Sequence, residues 1–403
     1  MRPDLLLAHT QLSRRAALGL AGKAAATAAL ASTALGTAAL ADDKARPART
    51  GGGRQHNNDD YDDEMFNVAD AEAGGWAPSR YGAGDQRGTF NEVTPEKTAA
   101  ALGLITGRKA TKTYNLGELL TNGIPAYQTE PARDYQQRLT VLGYQPPGGF
   151  EEGGGILQST QPLGVNRVSI HEERFEPGFT YQIATQLDNL NHLGVGPTFY
   201  NGFQGPDIAE SWGTSKLGNE HMGPIVTRGV LLDILGVKLE AGDETALSTS
   251  ADGDPVLFDS YRITLEDIRA AMDRGGIRSI EPGDVVLLRT GWNKVVNERV
   301  RYLSAEPGIY LREARWLAAR RPAIVGSDAW ALELLGNKDV VKHTFPVHQE
   351  LLAKEGIRIG EAIITDELAA DGVYEFVYLY TPQYAKGATA GSTPPAALAQ
   401  PKR

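Results

Sequence analysis

The stretch DVVLLRTGW, residues 284–292, is a short apolar run rich in residues that favour β-structure. A run of this length and composition predicts a β-strand. Three other stretches share this character and are also predicted to be strands: RGVLLDIL (228–235), PAIVGSD (322–328) and YEFVYLYTP (374–382).

Helix signals lie between some of these strands. TLEDIRAAMDRGG begins with Thr264, has Asp267 where a capping box requires an acceptor, and ends in glycine. YLREARWLAARRP (310–322) is amphipathic and stopped by proline, and PVHQELLAKEG (346–356) starts on proline and ends on glycine. Strands mixed with helices predict an α/β domain.

Composition excludes several functional classes. The chain has 403 residues, 41% of them hydrophobic, and no cysteine, so disulfides, thiolate metal ligands and a cysteine nucleophile are ruled out. The formal charge is −10; residues 1–41 carry four basic side chains and one acidic one, so the rest of the chain carries about −13. Such an acidic surface disfavours nucleic acid, which requires clustered lysine and arginine.

The two ends of the chain differ in character from its middle. Residues 1–41 resemble a Tat-type signal peptide, with Ser13-Arg14-Arg15, a weakly hydrophobic Ala/Leu run and a small-residue cleavage pattern. This predicts a periplasmic or secreted protein that the Tat machinery exports and that keeps no membrane anchor. Residues 42–70 are predicted to be a flexible linker, 71–390 the folded domain, and 391–403 a loose tail.

Common catalytic signatures are missing from the sequence. It contains no G-x-S-x-G elbow, no H-E-x-x-H and no P-loop, and GVGPTF lacks the third glycine of a dinucleotide fingerprint. Serine hydrolase and nucleotide-binding functions therefore have little support. Histidine is the usual general base and the commonest metal ligand, and five lie beyond the terminal segments: His171, His192, His221, His343 and His348.

One segment concentrates polar residues where a strand-like run leads into a loop. FTYQIATQLDNLNHLG (179–194) contains Gln182 and Gln186, followed by Asp188 and His192. An aspartate and a histidine at this spacing can share one divalent ion, or act as a base and its orienting group. The alternative is a hydrogen-bonded turn without chemistry.

A second pair lies near the end of the chain. His348 is at the start of the predicted helix PVHQELLAKEG, and Glu361 follows on the strand-like RIGEAIIT. A helix followed by a strand could bring both side chains to one edge of a sheet. The alternative is a helix-capping histidine and a solvated glutamate.

The order of these pieces resembles the cyclase family of metal-dependent hydrolases, which includes bacterial kynurenine formamidase and isatin hydrolase. The resemblance covers roughly residues 76–395. The segments that carry it are WAPSRYGAGDQRGTFNEVTPEK, YNGF (200–203), IVTRGVLLDI (225–234), GDVVLLRTGW (283–292), PAIVGSDAWALE (322–333) and YEFVYLYTPQYAKGAT (374–389). The resemblance implies a single compact α/β domain with a mixed β-sheet and flanking helices, sometimes described as a swivelling β/β/α fold. It also implies a homodimer or homotetramer.

The family's metal signature is only partly present. It reads H-x-G-T-H-x-D-x-P-x-H, and this chain has QIATQLDNLNH, so Gln182 and Gln186 replace the two ligand histidines. By resemblance, Asp188, His348 and Glu361 are the remaining metal ligands, and His192 is the catalytic acid or base. Oxygen-rich ligands shift the expected ion from Zn²⁺ towards Mn²⁺ or Mg²⁺. If the first metal position is lost, the two glutamines are expected to bind substrate.

The expected activity is hydrolysis of an amide, lactam or lactone in a small, possibly aromatic substrate, as in an arylformamidase. A metal would polarise the carbonyl and activate water, with Asp188 and His192 in the catalytic centre. Two alternatives remain. One is a metal-independent lyase or dehydratase that uses His192 and Asp188, and the other is a non-catalytic protein whose glutamines and Tyr200 form a ligand pocket.

Overall fold

The computed structural model describes residues 61–401, except residues 108, 149, 151 and 152. The expected signal peptide and residues 42–60 of the expected linker lie outside this part of the chain.

Two kinds of element alternate through the described residues. The strands are β1 Lys112–Asn115, β2 Gln137–Leu142, β3 Ile156–Ser159, β4 Ile170–Phe175, β5 Gln186–Asp188, β6 Ala209–Glu210, β7 Gly213–Thr214, β8 Ile225–Asp233, β9 Leu247–Thr249, β10 Pro255–Leu257, β11 Val285–Arg289, β12 Ile324–Ser327, β13 Arg358–Glu361, β14 Glu375–Tyr380, β15 Ala390–Gly391 and β16 Ala396–Ala399.

The helices are mostly short, and none in the described ranges is long and apolar enough to cross a membrane. They are α1 Val68–Glu72, α2 Pro95–Leu102, α3 Gly205–Ile208, α4 Ile234–Ala241, α5 Leu265–Gly275, α6 Arg299–Ser304, α7 Leu311–Ala318, α8 Pro346–His348 and α9 Asp366–Ala370. A π-helical segment, Gln349–Glu355, continues α8. Single 3₁₀ turns occur at Gly88–Glu92, Gly103–Ile105, Tyr200–Gly202, Asn219–His221 and Trp292–Val295.

The predicted strands and helices are present. Helix α5 begins as expected: Thr264 accepts a hydrogen bond from the Asp267 backbone in a capping box, and Gly276 ends the helix in the left-handed conformation. The run at 228–235 is not a single strand, because β8 ends at Asp233, whose side chain caps α4.

A nine-stranded sheet organises the domain, in the order β1-β16-β14-β8-β11-β12-β13-β5-β15. Strands β8, β11, β12 and β13 are parallel neighbours and the other pairs are antiparallel, so the sheet is mixed, as predicted. Strands β2, β3 and β4 form a separate sheet.

The core lies on both faces of the central strands. Along β11, Val286 and Leu288 pack into one cluster together with residues of α4, α5, α7 and α8. Val285 and Leu287 point the other way, into a second cluster that includes residues of β14 and β16. Burial on both faces explains why VVLL (285–288) is continuously apolar instead of alternating with polar residues.

The sheet is curled. Strand β15 lies at one end of the sheet and β16 is second from the other end, yet Gly391 and Ala396 are only five positions apart. Five residues span at most about 18 Å. The two ends of the sheet must therefore approach each other.

Two expected boundaries differ from the structure. Part of the predicted linker is bound to the domain, because Asp63 pairs with Arg262 at 2.7 Å and accepts a backbone hydrogen bond from Arg312 at 3.0 Å. The predicted loose tail contains β16, which pairs with β1 on one side and β14 on the other. Polar and proline-rich composition suggested mobility in both segments, but ion pairs in one and backbone hydrogen bonds in the other hold them in place.

Candidate active site

Two neighbouring strands present the polar side chains of the signature segment. Strands β5 and β13 are antiparallel, with Gln186 opposite Glu361 and Asp188 opposite Ile359. Because side chains alternate along a strand, Gln186, Asp188 and Glu361 project from one face. Leu187 projects from the other face into the core.

His348 reaches the same place from α8. Its Nε2 atom lies 3.2 Å from Glu361 Oε1 and 3.7 Å from Asp188 Oδ2. Asp188, His348 and Glu361 are all buried, and each offers a ligand atom within 4.8 Å of the others. The structure thus brings together the three residues expected to be metal ligands.

Glu333 orients this histidine, a role that the sequence did not indicate. Its buried carboxylate contacts His348 Nδ1 at 2.5 Å and accepts the backbone hydrogen bonds of His348 and Val347 at 3.2 and 3.3 Å. A histidine held at Nδ1 by a carboxylate directs Nε2 outwards, the usual arrangement of a metal-ligating histidine. Only the fold could reveal this contact, because Glu333 and His348 are brought together across a loop.

The two glutamines form a hydrogen-bonded link between the carboxylates and His192. Gln186 Nε2 lies 2.5 Å from Glu361 Oε2, 2.8 Å from Gln182 Oε1 and 3.3 Å from Asp188 Oδ1. Gln182 Nε2 lies 3.1 Å from His192 Nδ1. Through this contact Gln182 holds the His192 ring in a defined orientation.

One buried oxygen at the centre of the cluster has no hydrogen-bond partner among the described residues. It is Asp188 Oδ2, which lies 3.6 Å from His192 Nε2 and 3.7 Å from His348 Nε2. An unsatisfied buried carboxylate oxygen is costly, and a divalent cation would satisfy it. Two carboxylates and one imidazole are suitable ligands for such an ion, so the residues fit a metal.

The electrostatics of the cluster are consistent with this fit. Burial, helped by the nearby Asp188 carboxylate, raises the pKa of Glu361 to about 7, although His348 opposes the shift. Burial disfavours a charged His348, but its hydrogen bonds to Glu333 and Glu361 hold its pKa well above the usual range. Burial lowers the pKa of His192, against the attraction of Asp188. Without an ion, a proton on His348 balances the carboxylates, so binding a cation there would release protons.

The cluster opens into a cavity of about 210 Å³ whose lining includes Gln182, Gln186, His192, His348 and Glu361. His192 is 22% exposed, which makes its imidazole accessible to a small molecule. Tyr200, expected near substrate, is not in the lining: it is buried, and its hydroxyl donates to Asp85 at 2.8 Å.

Part of the cavity lining is aromatic. Tyr127 stacks on Trp330 with ring centroids 5.5 Å apart, and Phe345 meets Tyr127 edge-on at 5.7 Å. Arg133 also lines the cavity. These four residues come from two loops, one between β1 and β2 and one between β12 and α8, and no local sequence pattern marked them.

Strained backbone surrounds the site. Four non-glycine residues with positive φ lie within about three positions of a site residue in sequence: Ala184 (57°), Leu332 (61°), Phe345 (49°) and Ala362 (47°). Each such residue costs of order 1–3 kcal/mol, and clusters of them are typical of functional sites. The strain is consistent with a site whose geometry is held by the surrounding fold.

Comparison with known proteins identifies the family of the chain. The model of the Cyclase family, described as "Putative cyclase", matches residues 114–334. A crystal structure described as a novel cyclase is 27% identical, covers 83% of this chain and 99% of its own, and has a TM-score of 0.63.

Two other solved structures are more distant. Isatin hydrolase A from Ralstonia solanacearum is 16% identical, with 75% of this chain and 96% of its own covered and a TM-score of 0.48. A predicted metal-dependent hydrolase from Bacillus stearothermophilus is 18% identical, with 72% and 98% covered and a TM-score of 0.41. A comparison with curated proteins gives no match. The family model spans more than half of the chain, and the fold expected from the resemblance is confirmed, so the protein belongs to the cyclase family.

Proposed function

We propose that the protein is a metal-dependent hydrolase that cleaves an amide, lactam or lactone bond in a small substrate. The observation that carries the proposal is the buried cluster of Asp188, His348 and Glu361, with an unsatisfied Asp188 oxygen at its centre and an accessible cavity beside it. Polar groups that converge on a cavity in this way are typical of an active site.

Asp188, His348 and Glu361 would hold the ion, for which Mn²⁺, Zn²⁺ and Mg²⁺ are the candidates. The bound ion supplies Lewis-acid polarisation of the substrate carbonyl. Gln182 and Gln186 offer amide oxygens that are weaker ligands than imidazole, so the ion is expected to bind less tightly than at a site with two more histidines.

His192 moves the proton. Its lowered pKa keeps the ring neutral near pH 7, and its Nε2 faces the Asp188 oxygen at 3.6 Å. The ring takes up the proton that the attacking water loses and passes it to the leaving nitrogen or oxygen as the bond breaks, so it is neutral again at the end of the reaction. Gln182 holds the ring in place through Nδ1, and Glu333 does the same for His348.

A metal-independent lyase is the second candidate. The observation that favours it is that the Gln186 amide already reaches Glu361, Asp188 and Gln182 without an ion. In that reaction His192 would act as the base, with no hydrolysis. Sensitivity to chelator separates the two functions.

The first experiment measures divalent metal in the purified protein by plasma mass spectrometry, together with hydrolysis of aryl amides and lactones. We expect about one ion per chain after loading with Mn²⁺ or Zn²⁺, and loss of turnover with chelator. Asp188→Ala should lose both ion and turnover, whereas His192→Ala should keep the ion and lose about 10²–10⁴-fold in turnover.

His343→Ala is the matched control, since His343 is exposed and does not line the cavity. No ion after reconstitution, with turnover that chelator does not affect, would refute the hydrolase proposal in favour of metal-free chemistry. Undiminished turnover in both Asp188→Ala and His192→Ala would refute the assigned site.

A further inference from the structure

Arg133 is a cation in the cavity, where its charge favours the ionised Glu361 carboxylate at longer range without an ion-pair contact. Its Nη1 donates to the backbone carbonyl of Gln182 at 3.4 Å, but it forms no ion pair with any residue that the structure describes. Other partly buried arginines of this chain are matched by carboxylates, as Arg262 is by Glu313 at 2.9 Å and Arg289 by Asp233 at 2.9 Å. An unmatched guanidinium in a substrate cavity is suited to an anionic group on the ligand.

The aromatic wall connects this guanidinium to the proposed metal site. Arg133 lies over the Tyr127 ring at 5.9 Å, Tyr127 meets Phe345 at 5.7 Å, and Phe345 meets the His348 ring at 5.2 Å. Trp330 stacks on Tyr127 and is anchored by a hydrogen bond from its indole Nε1 to the Tyr302 carbonyl at 2.6 Å. A planar ring placed along this wall would have the cationic group at one end and the acidic cluster at the other.

The size of the cavity limits what fits. A cavity of about 150 Å³ holds a single benzene ring. The volume of about 210 Å³ therefore has room for one ring with small substituents. A carboxylate is the smallest anionic group that can accept two hydrogen bonds from a guanidinium.

We propose that the substrate is a small aromatic carboxylate, with its carboxylate on Arg133, its ring against Tyr127 and Trp330, and its cleavable carbonyl beside Asp188 and His348. Arg133 is therefore a specificity-determining residue. The inference depends on the proposed function in one respect: both place the substrate in the same cavity.

The test is calorimetric titration of chelator-treated full-length protein with benzoate and with benzamide, which has a similar shape and no charge. We expect benzoate to bind at least about tenfold more tightly, because its carboxylate accepts charge-assisted hydrogen bonds from the guanidinium and the neutral amide does not. Arg133→Met should abolish this preference. Arg133→Lys should keep part of it, because lysine retains the charge and loses the two-pronged geometry. Arg299→Met, which alters an exposed arginine outside the cavity, should leave it unchanged.

Equal binding of benzoate and benzamide to the unaltered protein would overturn the inference, and so would a preference that survives in a folded Arg133→Met variant. Binding is read without turnover, so these outcomes are separate from those for the hydrolase.

Absence of hydrolysis together with an Arg133-dependent preference for benzoate would refute the hydrolase and support the ligand class. Turnover of formanilide and 4-formamidobenzoate at equal kcat/KM, unaffected by Arg133→Met, would support the hydrolase and overturn the ligand class.

Discussion

Gln182 and Gln186 occupy positions where the family signature has histidines, and the structure shows what they do instead. Each amide both donates and accepts, so the pair connects Glu361 to His192 through side-chain hydrogen bonds. Two imidazoles could not make these bonds in the same way, because each neutral ring has only one donor and one acceptor. The exchange therefore reduces the number of strong metal ligands and fixes the orientation of His192.

Glu118 gives a residue-scale prediction about pH. Its Oε2 is buried without a hydrogen-bond partner among the described residues, and burial raises the pKa of its carboxyl to about 7 from a usual 4.5. The folded protein thus binds the proton more tightly than the unfolded chain does. The resulting stabilisation is fully present below pH 4.5 and is lost as the pH rises through 7.

Glu118→Gln should therefore raise the free energy of unfolding by about 1–3 kcal/mol at pH 8 and change it little at pH 4. Urea denaturation at both pH values measures the difference. Glu173→Gln, at an exposed position in β4, removes one negative charge without relieving burial and serves as the control. An equal effect of both substitutions at pH 8 would contradict the burial argument.

At the scale of elements, two glycines end helical segments in nearly the same backbone conformation. Gly276 after α5 has φ 66° and Gly356 after the π-helical segment has φ 67°. A Cβ on Gly276 would meet nothing within 4 Å, whereas a Cβ on Gly356 would lie 2.4 Å from Tyr200 Cε2. Alanine at Gly276 therefore tests the cost of the left-handed backbone conformation alone, and alanine at Gly356 tests that cost together with a steric clash.

Gly276→Ala should cost about 1 kcal/mol, from the left-handed conformation alone. Gly356→Ala should cost about 2–4 kcal/mol, because the buried Tyr200 ring must move as well. Chemical denaturation of the two variants measures both values. Similar losses would mean that the ring adjusts freely, and that the close approach of Gly356 contributes nothing further.

The elements that the sequence predicted are those with strong local signals. The capping box at Thr264 and the apolar run of β11 are present as expected, since both depend on neighbouring residues. Strand β5 has only three residues, and it is held by pairing with β13 and β15 instead of by its own propensity. The predicted contact of His348 with Glu361 was found, but Glu333, Tyr127 and Arg133 reach the site from other loops, which no local pattern records.

At the scale of the whole molecule, β16 joins β1 to the rest of the sheet. Ala397 is fully buried in the second core cluster, and Leu398, on the opposite face, is only half-buried. Ala397→Asp should lower the free energy of unfolding by at least about 3 kcal/mol or yield insoluble protein, because a carboxylate would be buried without a partner. Leu398→Asp should cost about 1 kcal/mol.

Thermal unfolding and the soluble fraction of the two variants test this prediction. A small effect of Ala397→Asp would show that β16 can detach without loss of the domain.

Export by the Tat machinery and assembly into a homo-oligomer stay predictions, since they concern residues 1–41 and a second copy of the chain.

The position of β16 also determines how late during synthesis β1 can pair within the main sheet. Strand β1 pairs only with β16 in the main sheet, and about 280 positions of chain separate the two. At a synthesis rate of about 5–20 residues per second, β1 would wait roughly 15–60 s for its partner. During that interval its backbone hydrogen-bonding groups are open to any other extended chain, so the nascent protein is exposed to aggregation until β16 is made.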